Sequence, residues 1–360
     1  GWLLIALAIL VVGLFGLDVS GNATFRLALP RDAFPVPNLV VPSAPYIYVV
    51  AALLAFFGVR QLMRGGGKWS SVFLGIGLFL VVTAFLVWAT DGKSFSLTGM
   101  LEATVVRAVP IALGGLAGVL SERVAVVNIG IEGMLLSGAF TGAVVGSLAG
   151  NIIGVAGAVA VGGLFGFILG ALVITFRVDQ IIAGVAINLF VLGMTSYVSS
   201  QVLTEYRWLN NAPVFRSMPI PYLSDLPVVG PVFFRQNLFV YGAVILVAIA
   251  TYYLFHTRWG LRARAVGEHP QAADTLGINV YRVRYVNVTL AGMVAGFGGA
   301  WFSLGSVGRF DENMTGGRGF IGLAAMIFGR WHPVGALLAA LVFGFADSLQ
   351  QKLAILRTPI

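Results

Sequence analysis

The feature that most constrains the fold of this chain is an uncharged run between Glu132 and Arg177. No Asp, Glu, Lys or Arg interrupts it, and it is built mainly of Gly, Ala, Val, Leu and Ile. A helix needs about 20 apolar residues to cross the hydrocarbon core of a bilayer. The run is therefore too long for one crossing and suits two, with a turn predicted at Gly150-Asn151.

The composition extends this conclusion to the whole chain. Of 360 residues, 58% are hydrophobic and 10% are charged, and the mean hydropathy of +0.94 indicates an integral membrane protein. The net charge of +8 does not indicate nucleic-acid binding, because the basic residues sit between apolar runs rather than on one soluble face. The chain has no cysteine, and its three histidines lack metal-binding spacing, so we expect no metal, no cofactor and no catalytic centre.

Cutting the chain at charges and prolines predicts an all-α polytopic protein with about ten spans. The predicted spans are 2–17, 46–63, 72–90, 100–120, two within 124–176, 181–203, 237–255, 285–304 and 334–349. Pro110 predicts a kink or break in the fourth span. The segment 319–329 is too short for a full crossing and predicts a half-helix, and by parity we expect one more span after residue 360.

The orientation follows from two basic loops. The segment 258–284 carries five arginines, at 258, 262, 264, 282 and 284, around two acids, Glu268 and Asp274. The joint 60–68 carries Arg60, Arg64 and Lys68 without an acid. Short loops rich in Lys and Arg stay in the cytoplasm, so we predict that both loops are cytoplasmic and that 18–45 and 204–236 are outer loops.

Two patterns concern packing and symmetry. Glycines at four-residue spacing, such as Gly138 with Gly142 and Gly162 with Gly166, predict close helix packing. The segment 157–167 aligns without gaps on 335–345, which could be an inverted repeat with a substrate path at its interface. A chance match remains an alternative, because Gly, Ala and Phe are abundant in this chain.

Polar residues inside apolar segments are candidates for a substrate pathway, because a charge in hydrocarbon is costly unless it faces a cavity or a partner. We select Asn128, Glu132, Asn188 and Asp347. Glu132 could instead pair with Arg123 or act as an acid at a helix end. Asp179 is interpreted as a helix cap.

Several longer motifs carry a family resemblance. They are SERVAVVNIGIEG at 121–133, DQIIAGVAIN at 179–188, GLRARAVGEHPQAADTLGI at 260–278, RGF at 318–320, Gly329 and HPVG at 332–335. Together they resemble the permease subunits of ABC importers in the branched-chain amino acid and simple-sugar group, and most of all the permeases for nucleosides. The likeness starts near Met100 and runs to the end, so we predict an appended region of three spans at 1–99 and a permease core at 100–360 that lacks its final span.

The resemblance implies a set of partners and a cargo. The partners are an ABC ATPase that hydrolyses ATP, a second permease (homologous or identical), an extracellular or periplasmic substrate-binding protein, and the lipid of the cell (inner) membrane. The small-molecule cargo would be a nucleoside, with a simple sugar or an amino acid as alternatives. A secondary transporter or channel is the rival class, but it should show ionisable residues deep in several spans.

The resemblance also places a coupling helix for the ATPase near Pro270 to Leu276. Proline suits a first helical turn and glycine a helix end, so Pro270 and Gly277 agree with that placement. The predicted coupling loop comprises Arg262, Arg264, Gly267, Glu268, Pro270, Ala272, Ala273, Leu276 and Gly277. We expect Ala272 and Ala273 to present a small surface to the ATPase, so that a large or charged residue at 273 uncouples ATP hydrolysis from uptake.

Overall fold

The structure is a computed structural model that describes residues 1–17, 19–30, 32, 36–65, 67 and 69–356. It divides into two compact units. Unit 1 comprises Gly1–Glu102, Pro221–Val232 and Leu349–Ile360, and unit 2 comprises Ala103–Ile220 and Phe233–Ser348. Asp18, Pro35 and Lys68 of the predicted loops lie outside the described residues.

Unit 1 contains three apolar helices and a small sheet. The helices are α1 (Trp2–Phe15), α2 (Ser43–Arg64) and α3 (Ser70–Ala89). The strands are β1 (Asn22–Arg26), β2 (Leu39–Pro42) and β3 (Ser94–Ser96), in the order β2-β1-β3. β1 pairs with β2 antiparallel and with β3 parallel. Two of these strands lie in the loop predicted over 18–45, which the proline-rich sequence did not suggest.

Unit 2 holds most of the remaining helices, together with a short strand pair, β4 (Met218–Pro219) and β5 (Arg235–Gln236). Its helices are α4 (Leu97–Glu122, which begins in unit 1), α5 (Ile131–Ala149), α6 (Asn151–Gly170), α7 (Gln180–Val198), α8 (Leu238–His256), α9 (Arg258–Glu268), α10 (Pro270–Thr275), α11 (Val280–Phe302), α12 (Arg318–Phe328) and α13 (Pro333–Leu356, which ends in unit 1). Five-residue segments of wider turn extend three of them: Ala171–Thr175 after α6, Ser199–Leu203 after α7 and Ser303–Val307 after α11.

Within the described ranges, nine helices are long and apolar enough to cross a membrane, and the shorter α1 and α12 are also apolar. The all-α polytopic prediction is therefore confirmed, as is the turn at Gly150, whose φ of 89° suits glycine. Of the two outcomes predicted at Pro110, the break is wrong, because α4 continues through Pro110 to Glu122, and the kink stays a prediction. The segment predicted as a half-helix is α12, which has 11 residues.

The centre of unit 2 is formed where α5, α6 and α11 meet through glycine. A methyl group built on Gly166 would lie 2.6 Å from the carbonyl oxygen of Val288, and one on Gly162 would lie 2.6 Å from the Cα of Gly296. On Gly138 it would lie 2.5 Å from the carbonyl oxygen of Gly296. The helix backbones touch without intervening side chains, as the glycine spacing predicted.

The basic segment 258–284 folds more fully than its polarity suggested. It contains α9 as well as the predicted short helix, α10, and Gly277 ends α10 at a φ of 77°. The hydroxyl of Thr257 caps α9 by accepting from the backbone N–H of Gly260 at 3.1 Å. The sequence analysis missed α9 because its buried residues, Gly260, Ala263 and Val266, are small and are separated by arginines and other residues that are at least partly exposed.

Candidate functional site

The carboxylate of Glu132 is buried at the start of α5 and holds the beginning of α12. Its Oε1 accepts hydrogen bonds from the Thr315 hydroxyl at 2.6 Å and the Gly317 N–H at 2.8 Å, and its Oε2 accepts one from the Gly319 N–H at 2.6 Å. The first N–H groups of a helix lack partners within it and carry partial positive charge. Glu132 therefore caps α12 from a different helix, and its partner is this helix end rather than Arg123.

Glycines allow α12 to approach the carboxylate so closely. Gly316 and Gly317 have φ values of 51° and 81°, which favour glycine. A methyl group on Gly319 would lie 2.7 Å from the Cα of Glu132. A side chain at any of these positions would strain the turn or push α12 away.

Asn188, on α7, fixes the segment that leads into α5. Its Oδ1 accepts from the Gly133 N–H at 2.8 Å, and its Nδ2 donates to the carbonyl of Ile129 at 2.9 Å. Gly133 N is one of the first N–H groups of α5, so Asn188 caps that helix as Glu132 caps α12. Two of the four predicted pathway residues thus lie side by side at two helix beginnings.

Glu132 and Asn188 line a cavity of about 330 Å³. The other lining residues are Gly133, Leu136, Val185, Leu189, Leu192, Asn313, Gly317 and Phe320. The polar side chains are few, Glu132, Asn188 and Asn313, and most of the wall is apolar. This composition is typical of a small-molecule site, although the volume is at the low end of the usual range of ~300–1,000 Å³.

Asn128 does not line this cavity. Its side chain is fully buried, and its Nδ2 donates to the sulfur of Met134 at 3.6 Å. Its Oδ1 is buried without a hydrogen bond in the described part of the chain. The structure thus places Asn128 in the core near the cavity-forming segment, and its assignment to the pathway stays a prediction.

Asp347, on α13, belongs to a separate ion cluster. Its Oδ2 lies 3.2 Å from Nη1 of Arg107 on α4 and 3.2 Å from Nη2 of Arg318, the first residue of α12. One carboxylate thus bridges two guanidinium groups and connects α4, α12 and α13. Asp347 is not among the cavity-lining residues, so its contribution to the site is to anchor the beginning of α12.

The other end of α12 is attached to the end of α4. Arg123 donates from Nε and Nη2 to the carbonyl oxygen of Trp331 at 3.0 and 2.7 Å. The indole N–H of Trp331 donates to Oε2 of Glu122 at 2.6 Å. The guanidinium groups of Arg123 and Arg264 lie 5.5 and 5.2 Å from the centre of the same ring, Phe255. The junction therefore joins α4, α8, α9 and the turn after α12.

Burial lowers the pKa of the Arg123 guanidinium, and the neighbouring charge of Arg264 lowers it further, while Glu268 opposes the change. The ordinary arginine pKa is so far above neutrality that Arg123 stays charged at physiological pH. Cation–π attraction favours both cations at this ring, and the Trp331 carbonyl also accepts from Arg123.

The predicted coupling residues divide into exposed and buried groups. Ala273 is only 3% exposed and packs into the core of unit 2, so the expectation that it presents a surface is wrong. Ala272 and Leu276 are exposed, the latter by 81%. Of the rest, Arg262 and Glu268 are exposed, Arg264 and Pro270 are half-buried, Gly277 is exposed in its turn, and Gly267 packs against the Arg123 carbonyl.

Sequence reasoning missed Thr315 and Phe320 as parts of the site. Phe320 stood in a motif without an assigned role, and Thr315 gave no signal, because its importance lies in contacting a carboxylate 183 residues away. Arg107 and Arg318 were visible as charges near apolar segments, but their common partner could not be identified without the fold.

Comparison with known proteins identifies a family and several relatives of this chain. The profile of the family described as "Branched-chain amino acid transport system / permease component" matches residues 100–358. The guanosine ABC transporter permease protein NupQ of Bacillus subtilis is 43% identical over 258 residues, 69% of this chain and 81% of the relative. The nucleoside ABC transporter permease protein NupC of Lactococcus lactis is 38% identical over 253 residues, 68% of this chain and 80% of the relative.

A more distant relative is the ribose import permease protein RbsC of Escherichia coli, 27% identical over 264 residues, 70% of this chain and 77% of the relative. No solved structure matches the chain. The resemblance found in the motifs is thus confirmed over the region in which it was seen.

Proposed function

This chain belongs to the family of branched-chain amino acid transport system permease components, and on that premise we propose that the cargo of this ABC importer permease is a nucleoside. As a permease it is a multi-pass transport subunit of the cell membrane rather than an enzyme, and it works with an ATPase and a substrate-binding protein. The observation that carries the nucleoside proposal is the cavity in which Glu132, Asn188 and Phe320 meet, together with the names of the two relatives above.

The cavity has hydrogen-bonding capacity left for a ribose. Oε2 of Glu132 accepts one bond and can accept another, and Nδ2 of Asn188 donates one of its two protons. A ribose hydroxyl is both donor and acceptor, so it can use both groups at once. The same capping bonds that hold α5 and α12 thereby orient the groups that would face the sugar.

Phe320 supplies the aromatic surface that a flat base requires. It lies on the first turn of α12, lines the cavity and is 46% exposed. Stacking of a base on an aromatic ring contributes about 1–3 kcal/mol. The pairing of one aromatic ring with hydroxyl-binding groups suits a nucleoside better than a branched-chain amino acid, which has neither a base nor a sugar.

A second permease would complete the site. Three wall residues of the cavity, Leu189, Val185 and Phe320, are 64%, 42% and 46% exposed, so the cavity opens on the surface of the chain. Exposure of the Glu132 carboxylate to lipid at that opening would be energetically costly. We therefore assign the covering surface to a homologous or identical permease.

The ATPase would act through the segment 258–284, with the exposed face of α10 as the contact. ATP binding would draw two ATPases together, move α10 and α9, and alternate the access of the cavity between the two sides. Arg262, Glu268, Ala272 and Leu276 provide the exposed contact residues in this proposal.

Uptake by Phe320→Ala tests the cargo. In membrane vesicles that contain the permease and its partner subunits, we expect the KM for labelled guanosine or uridine to rise about tenfold or more and Phe320→Tyr to retain uptake. Phe328→Ala is the matched control, because Phe328 is exposed at the other end of the same helix and does not line the cavity. Transport of ribose but of no nucleoside would refute the proposal and favour the sugar alternative.

A further inference from the structure

A second cavity, of about 400 Å³, lies between the ends of two spans and the helix α10, which contributes Pro270, Gln271 and Asp274 to its wall. Val173 and Ile174 on its wall belong to the last turns of the span Asn151–Thr175, and Val280 is the first residue of the span Val280–Val307. The residue after the first span, Phe176, is 71% exposed. The cavity therefore sits at the height where acyl chains give way to headgroups, with an apolar surface beside it.

Two arginines from different elements line the polar part of this cavity. Arg284 is on the second turn of α11. Its Nε donates to the carbonyl of Val124 at 3.2 Å, which fixes the side chain against the segment between α4 and α5. Arg177 is exposed, and among the described residues no hydrogen bond or ion pair engages its guanidinium. Asp274 is the single acid on the wall, so the lining has an excess of positive charge.

The walls are held in place by contacts outside the cavity. Tyr285 shares a hydrogen bond with Thr175 at 2.6 Å, and its ring packs on Phe167 with centroids 5.4 Å apart. The beginning of α11 is fixed as well, because the side chain of Asn279 accepts a hydrogen bond from the Arg282 N–H at 2.8 Å. The cavity is a built feature of the fold rather than a gap between mobile side chains.

The backbone of Arg177 has an unusual conformation. Its φ is 55°, in the left-handed region, and the N–H of the following Val178 bonds back to the carbonyl of Leu172 at 3.0 Å. This arrangement ends a helix at a position that glycine usually occupies. An arginine there carries a conformational cost that glycine would avoid, and an observed outlier of this kind points to function.

We propose that this cavity binds the phosphate headgroup of an anionic phospholipid of the cytoplasmic leaflet, between the guanidinium groups of Arg177 and Arg284. Basic pockets between spanning helices are suited to such headgroups, and arginine pairs with phosphate through two parallel N–H groups. The exposed Phe176 and the walls at Val173 and Ile174 provide the surface for the acyl chains. The proposal goes beyond the transport function and is independent of the cargo.

The test is lipid retention measured by native mass spectrometry on the full chain extracted in neutral detergent. The probes are phosphatidylglycerol, phosphatidylcholine and inorganic phosphate, each added alone. We expect the wild type to retain one phosphatidylglycerol at least fivefold better than Arg177→Gly and Arg284→Ala, and to retain phosphatidylcholine weakly. Arg282→Ala is the matched control, because Arg282 is exposed on the same turn region of α11 and does not line the cavity.

Arg177→Gly separates binding from folding. Glycine suits the backbone at this position, so without lipid the variant is expected to be at least as thermostable as the wild type. Equal phosphatidylglycerol retention by the wild type and Arg177→Gly would overturn the proposal, as would equal loss in Arg282→Ala. Binding of inorganic phosphate as tight as that of phosphatidylglycerol would assign the cavity to a free anion. If Arg177→Gly released a co-purified ATPase but retained phosphatidylglycerol like the wild type, the cavity would belong to the ATPase contact and the proposal would fail.

Discussion

At the scale of single residues, Glu132 has the largest structural role of the predicted site residues. Its two oxygens satisfy three donors at the beginning of α12 and still face the cavity. The carboxylate that we propose as a cargo contact is therefore the same group that holds the beginning of α12.

Glu132→Gln tests this role. The amide keeps the size of the side chain but replaces one acceptor oxygen by an NH₂ group. At least one of the three groups that donate to Glu132 then faces this NH₂ group and loses its hydrogen bond. Loss of such a buried bond costs about 1–3 kcal/mol. We expect a lower thermal unfolding midpoint in detergent and reduced uptake, whereas Glu205→Gln, in an exposed loop, should change neither. An unchanged midpoint in Glu132→Gln would contradict the capping role.

The two alanines of α10 make a second residue-scale prediction. Ala273 is buried, so Ala273→Trp should overpack the core and destabilise the protein by about 1–3 kcal/mol, with reduced yield in the membrane. Ala272 is exposed, so Ala272→Trp should insert normally but reduce uptake per ATP hydrolysed by the reconstituted complex. Normal coupling in Ala272→Trp would show that this face of α10 does not contact the ATPase.

The sequence could identify the chemistry of the site but not its partners. Glu132 and Asn188 were recognisable because a polar side chain in an apolar segment is energetically costly unless it has a partner or faces a cavity. Their partners are backbone groups of Gly317, Gly319 and Gly133, and every residue carries such groups, so no pattern of side chains reveals them. The burial of Ala273 was hidden for a related reason, because alanine fits both a surface and a core.

At the scale of elements, α12 is the half-length helix that the short apolar run predicted, and it is held at both ends. Glu132 and Asp347 hold its beginning, and Arg123 and Glu122 hold the turn at Trp331. Eleven residues at 1.5 Å each give a length of roughly 16 Å. This helix therefore connects the cavity with the junction near α9.

Trp331→Phe tests the second attachment. The ring is kept, and the carbonyl that accepts from Arg123 is unchanged, but the N–H bond to Glu122 is lost. Because both side chains are partly exposed, we expect a loss of stability of about 1 kcal/mol. We also expect ATP hydrolysis to become less dependent on cargo in the reconstituted complex. Wild-type cargo dependence in this variant would exclude the junction from the coupling route.

Span positions were predictable because hydrocarbon selects for long uncharged runs, and nearly every predicted span matches a helix. The failures have physical causes. α4 continues through Pro110 because the whole of its middle is buried and its neighbours hold the helix, whereas proline rules describe isolated helices. α9 was missed because an amphipathic helix at a membrane surface has the composition of a loop, and only its three-residue spacing of small residues marks the buried face.

At the scale of the whole molecule, the orientation in the membrane is still a prediction from the basic loops. These 360 residues include no cysteine, so single cysteines provide direct probes. We expect Leu276→Cys, at an exposed site of the coupling segment, to react with a membrane-impermeant maleimide only in inverted vesicles. Trp208→Cys, exposed in the loop between α7 and α8, should react only from outside intact cells. The reverse pattern would invert the topology.

The glycine contacts among α5, α6 and α11 also limit how this molecule can move. Where backbones touch, no side-chain rotamer can yield, so these helices cannot slide past one another without separating. We therefore expect them to travel as a single rigid block during a transport cycle. Displacement is then confined to the borders of that block, and substitutions that enlarge its glycines would impair assembly of the chain in the membrane before they altered the choice of cargo.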